Sequence, residues 1–494
     1  MQLSRRGFIK AGAAGAAGAA ALSATGCDLP GEGSTEPTNV LLLIIDSLRP
    51  DHVGAYGSPQ VQTPNVDWVA ARGMRFNRAF PEAMVTLPAR RSIFTSRRIF
   101  PFRNFKPDKE LGISPGWEPI EDPARTTFTS EFQRAGYWTA HVSDNPFTAF
   151  TGPYEPFRKT FDRWDTIVGQ SGQVNPPESV PVETVNGWLP PVLRDSRYFP
   201  GMRKYLANSG AGVDEEETCA ARVYKRAIEV LDDAIVRQPF CLTVDCFDPH
   251  EPWSPPRKYI DMYGDPDYEG PEIGVTRYGN SSYLTPEELR RLHAVYAAEV
   301  TMTDHWLGRF LERFREKELH ENTVILLLSD HGYLLGERGL TGKVPSQLHP
   351  ELAQVPFIVA HPDGRAAGEV SSHFASTHDV GPTLLSLAGV DRPRWMEGMD
   401  LSPLMDGDQP AGRRPFHYGG MFNRFYIRTD EWLLIGDNRG EERTMYDLKR
   451  DPHEFFDVVK ENPKLSEELY QQVLESAGGP LPYYEGRPTT PGGG

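Results

Sequence analysis

Two continuous apolar runs that each end in an acid constrain this chain more than any other feature. Residues 39–47 read NVLLLIIDS, and residues 322–332 read NTVILLLSDHG. A run with no polar alternation suits a strand buried on both faces, as in a parallel sheet covered by helices. YWTAHVSDN (137–145), PFCLTVDCFDPH (239–250) and VPFIVAHP (355–362) supply three more candidate strands. Helical segments lie between them, the clearest beginning at TPEELRRL. There Thr285 is the predicted N-cap, Pro286 the first helical residue and Glu288 the capping-box partner, with the helix running to about Lys317. Strands alternating with helices predict an α/β, doubly wound, mostly parallel sheet flanked by helices. Ligands of such sheets gather at the carboxyl ends of the strands. Asp46, Asp330, His331 and His250 all stand at or just past the ends of apolar runs, so one crevice can hold them together.

The 494 residues suffice for one large domain and a smaller one, each with its own core. A formal charge of −16 argues against a nucleic-acid partner and does not favour an anionic membrane surface. Anionic substrates stay open, because a metal or a few basic side chains invert the sign within one cleft. Four cysteines, Cys27, Cys219, Cys241 and Cys246, are too few for a disulfide framework in so long a chain. On one strand, Cys241 and Cys246 face opposite sides, which predicts burial as small apolar residues and no bridge between them.

The first 27 residues read as an address. The twin arginines Arg5 and Arg6 precede an Ala/Gly run from Ala11 to Ala21, too short and weakly apolar to span a bilayer well. This resembles a twin-arginine signal, by which bacteria export folded proteins. Ala24-Thr25-Gly26-Cys27 resembles a lipoprotein box with Ala24 where Leu is usual, so lipid anchoring of Cys27, the one expected membrane contact, stays open. Removing Arg5, Arg6 and Lys10 would take the charge from −16 to −19. Residues 28–38 read as a Pro/Gly/Ser/Glu linker. A catalytic domain is expected over 39–404, with a Pro- and Gly-rich insertion at about 168–210. An α+β subdomain with an antiparallel sheet is expected over 405–480. There FNRFYIRTDEWLLIGD predicts a hairpin turning near Thr429-Asp430, followed by RTMYDL and a helix from about Pro463. Residues 481–494 read as a disordered tail.

Asp46, Asp330 and His331 offer two hard carboxylates and an imidazole, a set suited to one divalent cation with a position left for a substrate oxygen. Ca²⁺ is the first expectation, with Mn²⁺ and Mg²⁺ as alternatives. Each residue alone also reads as a strand-end cap. VTLPARRSIFTS (85–96) places Thr86 at a predicted helix start, four residues before Arg90. Thr86 is either an ordinary N-cap or a nucleophile whose alkoxide is stabilised by the helix terminus and a neighbouring cation. Arg90 can fork two donors onto an oxyanion, whereas Arg91 reads as solvated. Lys343 lies in the glycine-punctuated loop GERGLTGK, where a plain surface role is the alternative. His250 in DPHEPW follows a buried strand and can protonate a leaving oxygen or bind the substrate.

In chain order these segments resemble the sulfatase family of the alkaline phosphatase superfamily. IIDSLRPDHVGAYG looks like its first metal segment, TLPARRSIFTS like its Cys/Ser-x-Pro-x-Arg signature and FDPHEPWSPP like its middle His loop. LLLSDHGYLLGERGLTGK resembles the second metal segment with its distal Lys, and HDVGPTLLSLAGV and YDLKRDPHE resemble later structural motifs. The resemblance implies Asp46, Asp330 and His331 on the metal together with Thr86, and Thr86 as nucleophile. It implies Arg90, Lys343 and His250 around the transferred group.

Three departures bear on function. Many members carry two adjacent acids where this chain has Asp46-Ser47, and the Asp330-His331 pair resembles the phosphonate monoester hydrolase branch. The family's Gly-Lys-Trp-His segment appears as VSDNPFTAF, which leaves Asn145 as the expected substrate contact. Threonine stands where the family oxidises Cys or Ser to formylglycine. The methyl on its Cβ means that the same oxidation would give a ketone, so no formylglycine is expected. A threonine alkoxide can still attack phosphorus and be released by water. The expectation is therefore an exported, periplasmic or cell-surface hydrolase of an anionic phosphate (mono- or diester) or sulfate ester, phosphoester favoured. A sulfatase working without formylglycine and a catalytically weak binding protein of the same fold are the alternatives.

Overall fold

The computed structural model describes residues 38–106, 114–149, 154–170, 174–209, 214–412 and 414–485. The expected export signal, Cys27, nearly all of the linker and most of the tail lie outside the described residues. The described residues form one compact unit. The strands begin with β1 (Asn39–Ile45), β2 (Gly73–Phe76), β3 (Trp138–Ser143), β4 (Arg163–Thr166) and β5 (Phe240–Cys246). They continue with β6 (Gly279–Asn280), β7 (Thr323–Leu328), β8 (Leu334–Leu335), β9 (Leu340–Gly342), β10 (Phe357–Ala360) and β11 (Val370–Ser371). The last four are β12 (His417–Met421), β13 (Arg424–Arg428), β14 (Trp432–Asp437) and β15 (Thr444–Asp447).

Eight of them make the central sheet, ordered β11-β2-β10-β7-β1-β5-β3-β4. All five expected strands are present in it. The alternation along β1 shows why its sequence is apolar throughout. Leu41, Leu43 and Ile45 enter the core on one face, while Val40, Leu42 and Ile44 enter the core on the other. Each such aliphatic side chain contributes about 1.5–3 kcal/mol on burial, and a polar residue at either parity would forfeit that on one face. Cys246 joins the first core and Cys241 the second, and both are free thiols.

Helices cover both faces. The Cys219–Ile235 helix and the long Pro286–Glu316 helix pack on the Leu41 side. The helices Thr86–Thr95, Phe128–Arg134 and Val380–Leu387 pack on the other. The Pro286 helix starts with the expected capping box: Glu288 N donates to Thr285 Oγ1 at 3.2 Å, and Thr285 N to Glu288 Oε2 at 2.8 Å. Its C-cap is Lys317. Among the described residues no helix is long and apolar enough to cross a membrane.

One strand departs from a parallel arrangement. β10 runs antiparallel to both β7 and β2, with Phe357 opposite Leu328. The chain therefore leaves β7 at its carboxyl end and re-enters the sheet at that same end without a crossover helix. Residues 329–356, which carry Asp330, His331 and Lys343, thus stay over the carboxyl edge of the sheet. Within that loop β9 pairs with β8 on one side and with β6 on the other, making a small antiparallel sheet.

The strands β12 to β15 form a separate antiparallel sheet, and Pro463–Ser476 packs on it. The expected hairpin is β13–β14, with Arg428 opposite Leu433. This sheet backs the segment that leads into the Thr86 helix. Met84 N donates to Gly420 O and Gly420 N to Glu82 O, both at 3.0 Å, and Tyr426 OH donates to Pro81 O at 2.7 Å. Gly420 is required by that closeness, because a Cβ there would lie 2.2 Å from the Phe100 ring. Between 168 and 210 the chain forms short helices at Val182–Asn186 and Tyr198–Asn208. Val185, Leu189, Leu193, Met202, Tyr205 and Leu206 give them a small core of their own.

Candidate active site

Strand register delivers the acids. β1 and β7 are parallel with Ile44 beside Leu328, and two further residues along this register place Asp46 beside Asp330. β5 lies on the other side of β1 with Asp245 beside Ile44. One ligand atom each from Asp46, Asp330 and His331 falls within a 4.8 Å cluster, and all three residues are buried. The connecting loops are fixed from outside. Tyr296, on the long helix, donates its hydroxyl to Ser47 O at 2.7 Å and accepts from Arg49 N at 3.1 Å. Arg49 in turn donates to Tyr333 O at 2.8 Å, tying the first acid loop to the second.

The donor set fits a divalent cation. Asp46 Oδ2 is buried without a hydrogen bond, its nearest cation being Arg90 Nη1 at 3.0 Å. Burial, reinforced by the charge of Asp330, holds the Asp46 carboxyl well above the usual range. Burial also raises Asp330, but His331 and Arg90 outweigh it, and that carboxyl sits below the usual range. One acid is thus ionised and the other needs a further positive charge beside it, which a cation supplies. His331 Nδ1 donates to Gly332 O at 2.9 Å, which leaves Nε2 as an acceptor facing the cluster. Burial pushes the His331 pKa down to about 4, so the ring is neutral, as a ligand must be. Ser47, where a second acid is usual, donates its hydroxyl to Asp46 Oδ1 at 2.8 Å and its amide to Asp330 Oδ1 at 3.0 Å.

Thr86 is buried, and it is the first helical residue of Thr86–Thr95; Val85 is the N-cap, with no side-chain cap bond. Capping therefore does not account for Thr86. Its Oγ1 lies 3.3 Å from His331 Nε2. Arg90, one turn on, donates from Nη1 to Thr86 O at 3.2 Å and to Asp330 Oδ2 at 2.6 Å. Its other edge is held by Asp245, with Nε to Oδ2 at 2.8 Å and Nη2 to Oδ1 at 2.6 Å. Arg91 corrects the expectation of a solvated side chain: it is largely buried and donates to Gly116 O at 2.8 Å and to Glu118.

A second group centres on Lys343, which directly follows β9 and is buried rather than on the surface. Its ammonium donates to His250 Nε2 at 2.7 Å and to Glu251 Oε1 and Oε2 at 3.0 and 3.1 Å, and lies 3.2 Å from Tyr278 OH. His250 Nδ1 faces Glu251 O, a pure acceptor, so Nδ1 carries the hydrogen and Nε2 receives the lysine proton. Burial and then Lys343 hold the His250 pKa well below its ordinary value, consistent with a neutral ring. Asn145 is buried just past the end of β3, its Oδ1 accepting from Phe147 N and its backbone N–H donating to Ser143 Oγ, both at 3.0 Å. Asp245, Glu251, Tyr278 and Tyr296 escaped the sequence reading. Asp245 had a signal, as the one acid inside an apolar strand (TVDC), and Glu251 adjoins the His already singled out.

With this geometry in hand, relatives become informative. The family profile described as Sulfatase matches residues 38–390. The chain belongs to the sulfatase family. A second profile, N-sulphoglucosamine sulphohydrolase, C-terminal, matches residues 336–477 of this sulfatase-family protein. An arylsulfatase of Clostridium perfringens is 25% identical over 472 residues, covering 88% of this chain and 92% of its own. The multifunctional alkaline phosphatase superfamily protein PehA of Trinickia caryophylli is 25% identical over 487 residues, covering 85% and 91%. In fold, the crystal structure of the phosphonate monoester hydrolase of Agrobacterium radiobacter superimposes with a TM-score of 0.70 at 21% identity, covering 89% of this chain and 95% of that one. The alkaline phosphatase-like architecture of the central sheet and the four-stranded antiparallel appendage is therefore shared with known members, and the chain is a sulfatase-like ester hydrolase.

Proposed function

We propose that this protein is an exported, metal-dependent hydrolase of phosphate or sulfate esters in which Thr86 is the covalent nucleophile, phosphoesters being preferred. The observation that carries the reading is the 3.3 Å approach of Thr86 Oγ1 to His331 Nε2, at the head of a ten-residue helix and against the acid cluster. A divalent ion held by Asp46, Asp330 and His331, with Thr86 beside them, would supply Lewis acidity to the threonine oxygen and to an ester oxygen. Calcium is the first choice for a set dominated by hard oxygen donors.

The chain's own groups do the rest. The helix N-terminus favours negative charge on Thr86 Oγ1, and Arg90 Nη1 stands one turn away as the adjacent cation. Thr86 first loses its hydroxyl proton to solvent; attack then forms a bond from Thr86 Oγ1 to phosphorus and breaks the bond from phosphorus to the alcohol oxygen. That oxygen takes a proton from the Lys343–His250 pair, which shares one in its hydrogen bond. Asn145 contacts the non-bridging oxygens. Water then attacks phosphorus and breaks its bond to Thr86 Oγ1, one water proton recharging the Lys343–His250 pair; the Thr86 oxygen regains its proton from solvent and the phosphate product leaves. Phosphorus is favoured because threonine cannot give the aldehyde by which sulfatases release sulfate. Sulfate esters remain the second reading, supported by relatives named as an arylsulfatase and a choline-sulfatase. A binding protein without turnover is the third.

A panel of 4-nitrophenyl sulfate, phosphate, methyl phosphate diester and phenylphosphonate, run on calcium-loaded and chelated protein, tests the proposal. Turnover of at least one of the phosphorus esters that disappears with the metal is the expected result. Metal-independent turnover, or none on any of the four, would reject it.

A further inference from the structure

The two cations expected to meet the substrate are each paired with a buried acid. Asp245 takes the Nε/Nη2 edge of Arg90 with two hydrogen bonds, and Glu251 takes Lys343 with two. All four side chains are buried, so solvent does not dilute these pairings. Asp46 and Asp330 add two further carboxylates, and both of the family's additional cationic positions are absent from residues 142–150. Arg90 and Lys343 thus stand against four acids. His331 and His250 each turn Nδ1 to a carbonyl, and as a ligand and as the lysine's acceptor they add no charge; a divalent ion, with both cluster acids ionised on it, brings this group to neutrality and no further.

We propose that Asp245 and Glu251 are charge-setting residues that restrict this site to singly charged oxyanion esters and exclude doubly charged phosphate monoesters. The inference rests on the proposed function for where the substrate sits. Sulfate monoesters, phosphodiesters and phosphonate monoesters share the single negative charge. At about pH 8 a phosphate monoester carries two, its second pKa being about 6. In a buried site two charges a few ångströms apart interact several times more strongly than in water, so one extra charge on the ligand shifts binding measurably. Asp245 acts on Arg90, and Glu251 on Lys343, as positioning residues as well. Ligand charge preference separates that role from charge setting, because loosened geometry weakens all ligands alike.

The test is titration calorimetry of calcium-loaded Thr86→Ala protein with phenyl sulfate, methyl phenyl phosphate and phenyl phosphate at about pH 8, repeated with Asp245→Asn and Glu251→Gln added. The Thr86→Ala background should bind the singly charged ligands at least about tenfold more tightly than phenyl phosphate, and each charge variant should move that ratio about tenfold towards phenyl phosphate. The two singly charged ligands report separately on sulfate and phosphodiester. Metal content and melting temperature identify a variant that fails to fold, in which case the Thr86→Ala ratio and the other variant decide. Preference for phenyl phosphate in the Thr86→Ala background, or folded variants with an unchanged ratio, would overturn the inference. The two failures are distinguishable: hydrolysis of a ligand by the Thr86→Ala protein during the titration would reject the Thr86 reading, whereas the ratio of affinities alone decides the charge preference.

Discussion

Asp245 grips Arg90 from behind, carboxylate to guanidinium, at 2.6 and 2.8 Å. Only Nη1 is left to face Asp330 and the carbonyl of Thr86. The orientation of this arginine is therefore set by β5, not by the helix that carries it. Removing one partner of a buried ion pair leaves the other uncompensated. Arg90→Ala should destabilise the metal-free protein by about 3–5 kcal/mol, read from urea unfolding. A change within about 0.5 kcal/mol would show that Asp245 is hydrated instead of paired.

The acid cluster should bind one divalent ion per chain. Asp46→Ala and Asp330→Ala should each abolish tight binding, because each removes one of only two carboxylates in the cluster. Elemental analysis after gel filtration checks this. Undiminished metal in both variants would place the ion elsewhere.

Tyr296 lies outside the cluster but fixes the loop after Asp46 through two hydrogen bonds of one buried hydroxyl. Tyr296→Phe keeps the ring and deletes both. Stability should fall by about 1–3 kcal/mol, from the two backbone groups left unpaired. Calcium affinity should fall about tenfold, because an outer-shell support is lost. Calcium titration monitored by melting temperature reads both. An unchanged affinity would detach the helix from the metal loop.

Export is proposed to use the arginine pair. Arg5→Lys combined with Arg6→Lys should leave folded, calcium-binding protein in the cytoplasm, measured by fractionation of the expressing bacterium. Normal export of the double variant would dismiss that route. Cys27→Ala should release the protein from the membrane fraction only if the lipoprotein box is used.

The sheet was legible because its central strands are buried on both faces. That burial forces unbroken apolar runs, and parallel register then aligns their terminal acids. What escaped depends on partners distant in sequence. GMRF and RWDT, the sources of β2 and β4, are too short to announce a strand. The reversal of β10 follows from a 28-residue loop staying at one edge of the sheet, which no local pattern encodes. Asp245 reads from sequence as an interruption of a strand, and its purpose appears only when Arg90, 155 residues away, arrives beside it. Arg91 is misleading for the same reason, its partner Glu118 lying 27 residues on. Thr86 presents two meanings in sequence; in the fold the helix starts at Thr86 with Val85 as N-cap, so Thr86 is one position past the cap that its sequence suggests.

The central claim is that Thr86 forms a bond to substrate. The most direct measurement is intact-protein mass spectrometry of calcium-loaded wild type, Thr86→Ser and Thr86→Ala, quenched in acid during turnover of 4-nitrophenyl phenylphosphonate. The account predicts a phosphonyl adduct on wild type and on Thr86→Ser, localised by peptide mapping to residue 86. It predicts no adduct on Thr86→Ala, with turnover lower by about a thousandfold or more and metal retained. A Thr86→Ala protein that turns over nearly as wild type, having lost only about 1 kcal/mol of stability, would contradict it and return Thr86 to a structural role at the helix start.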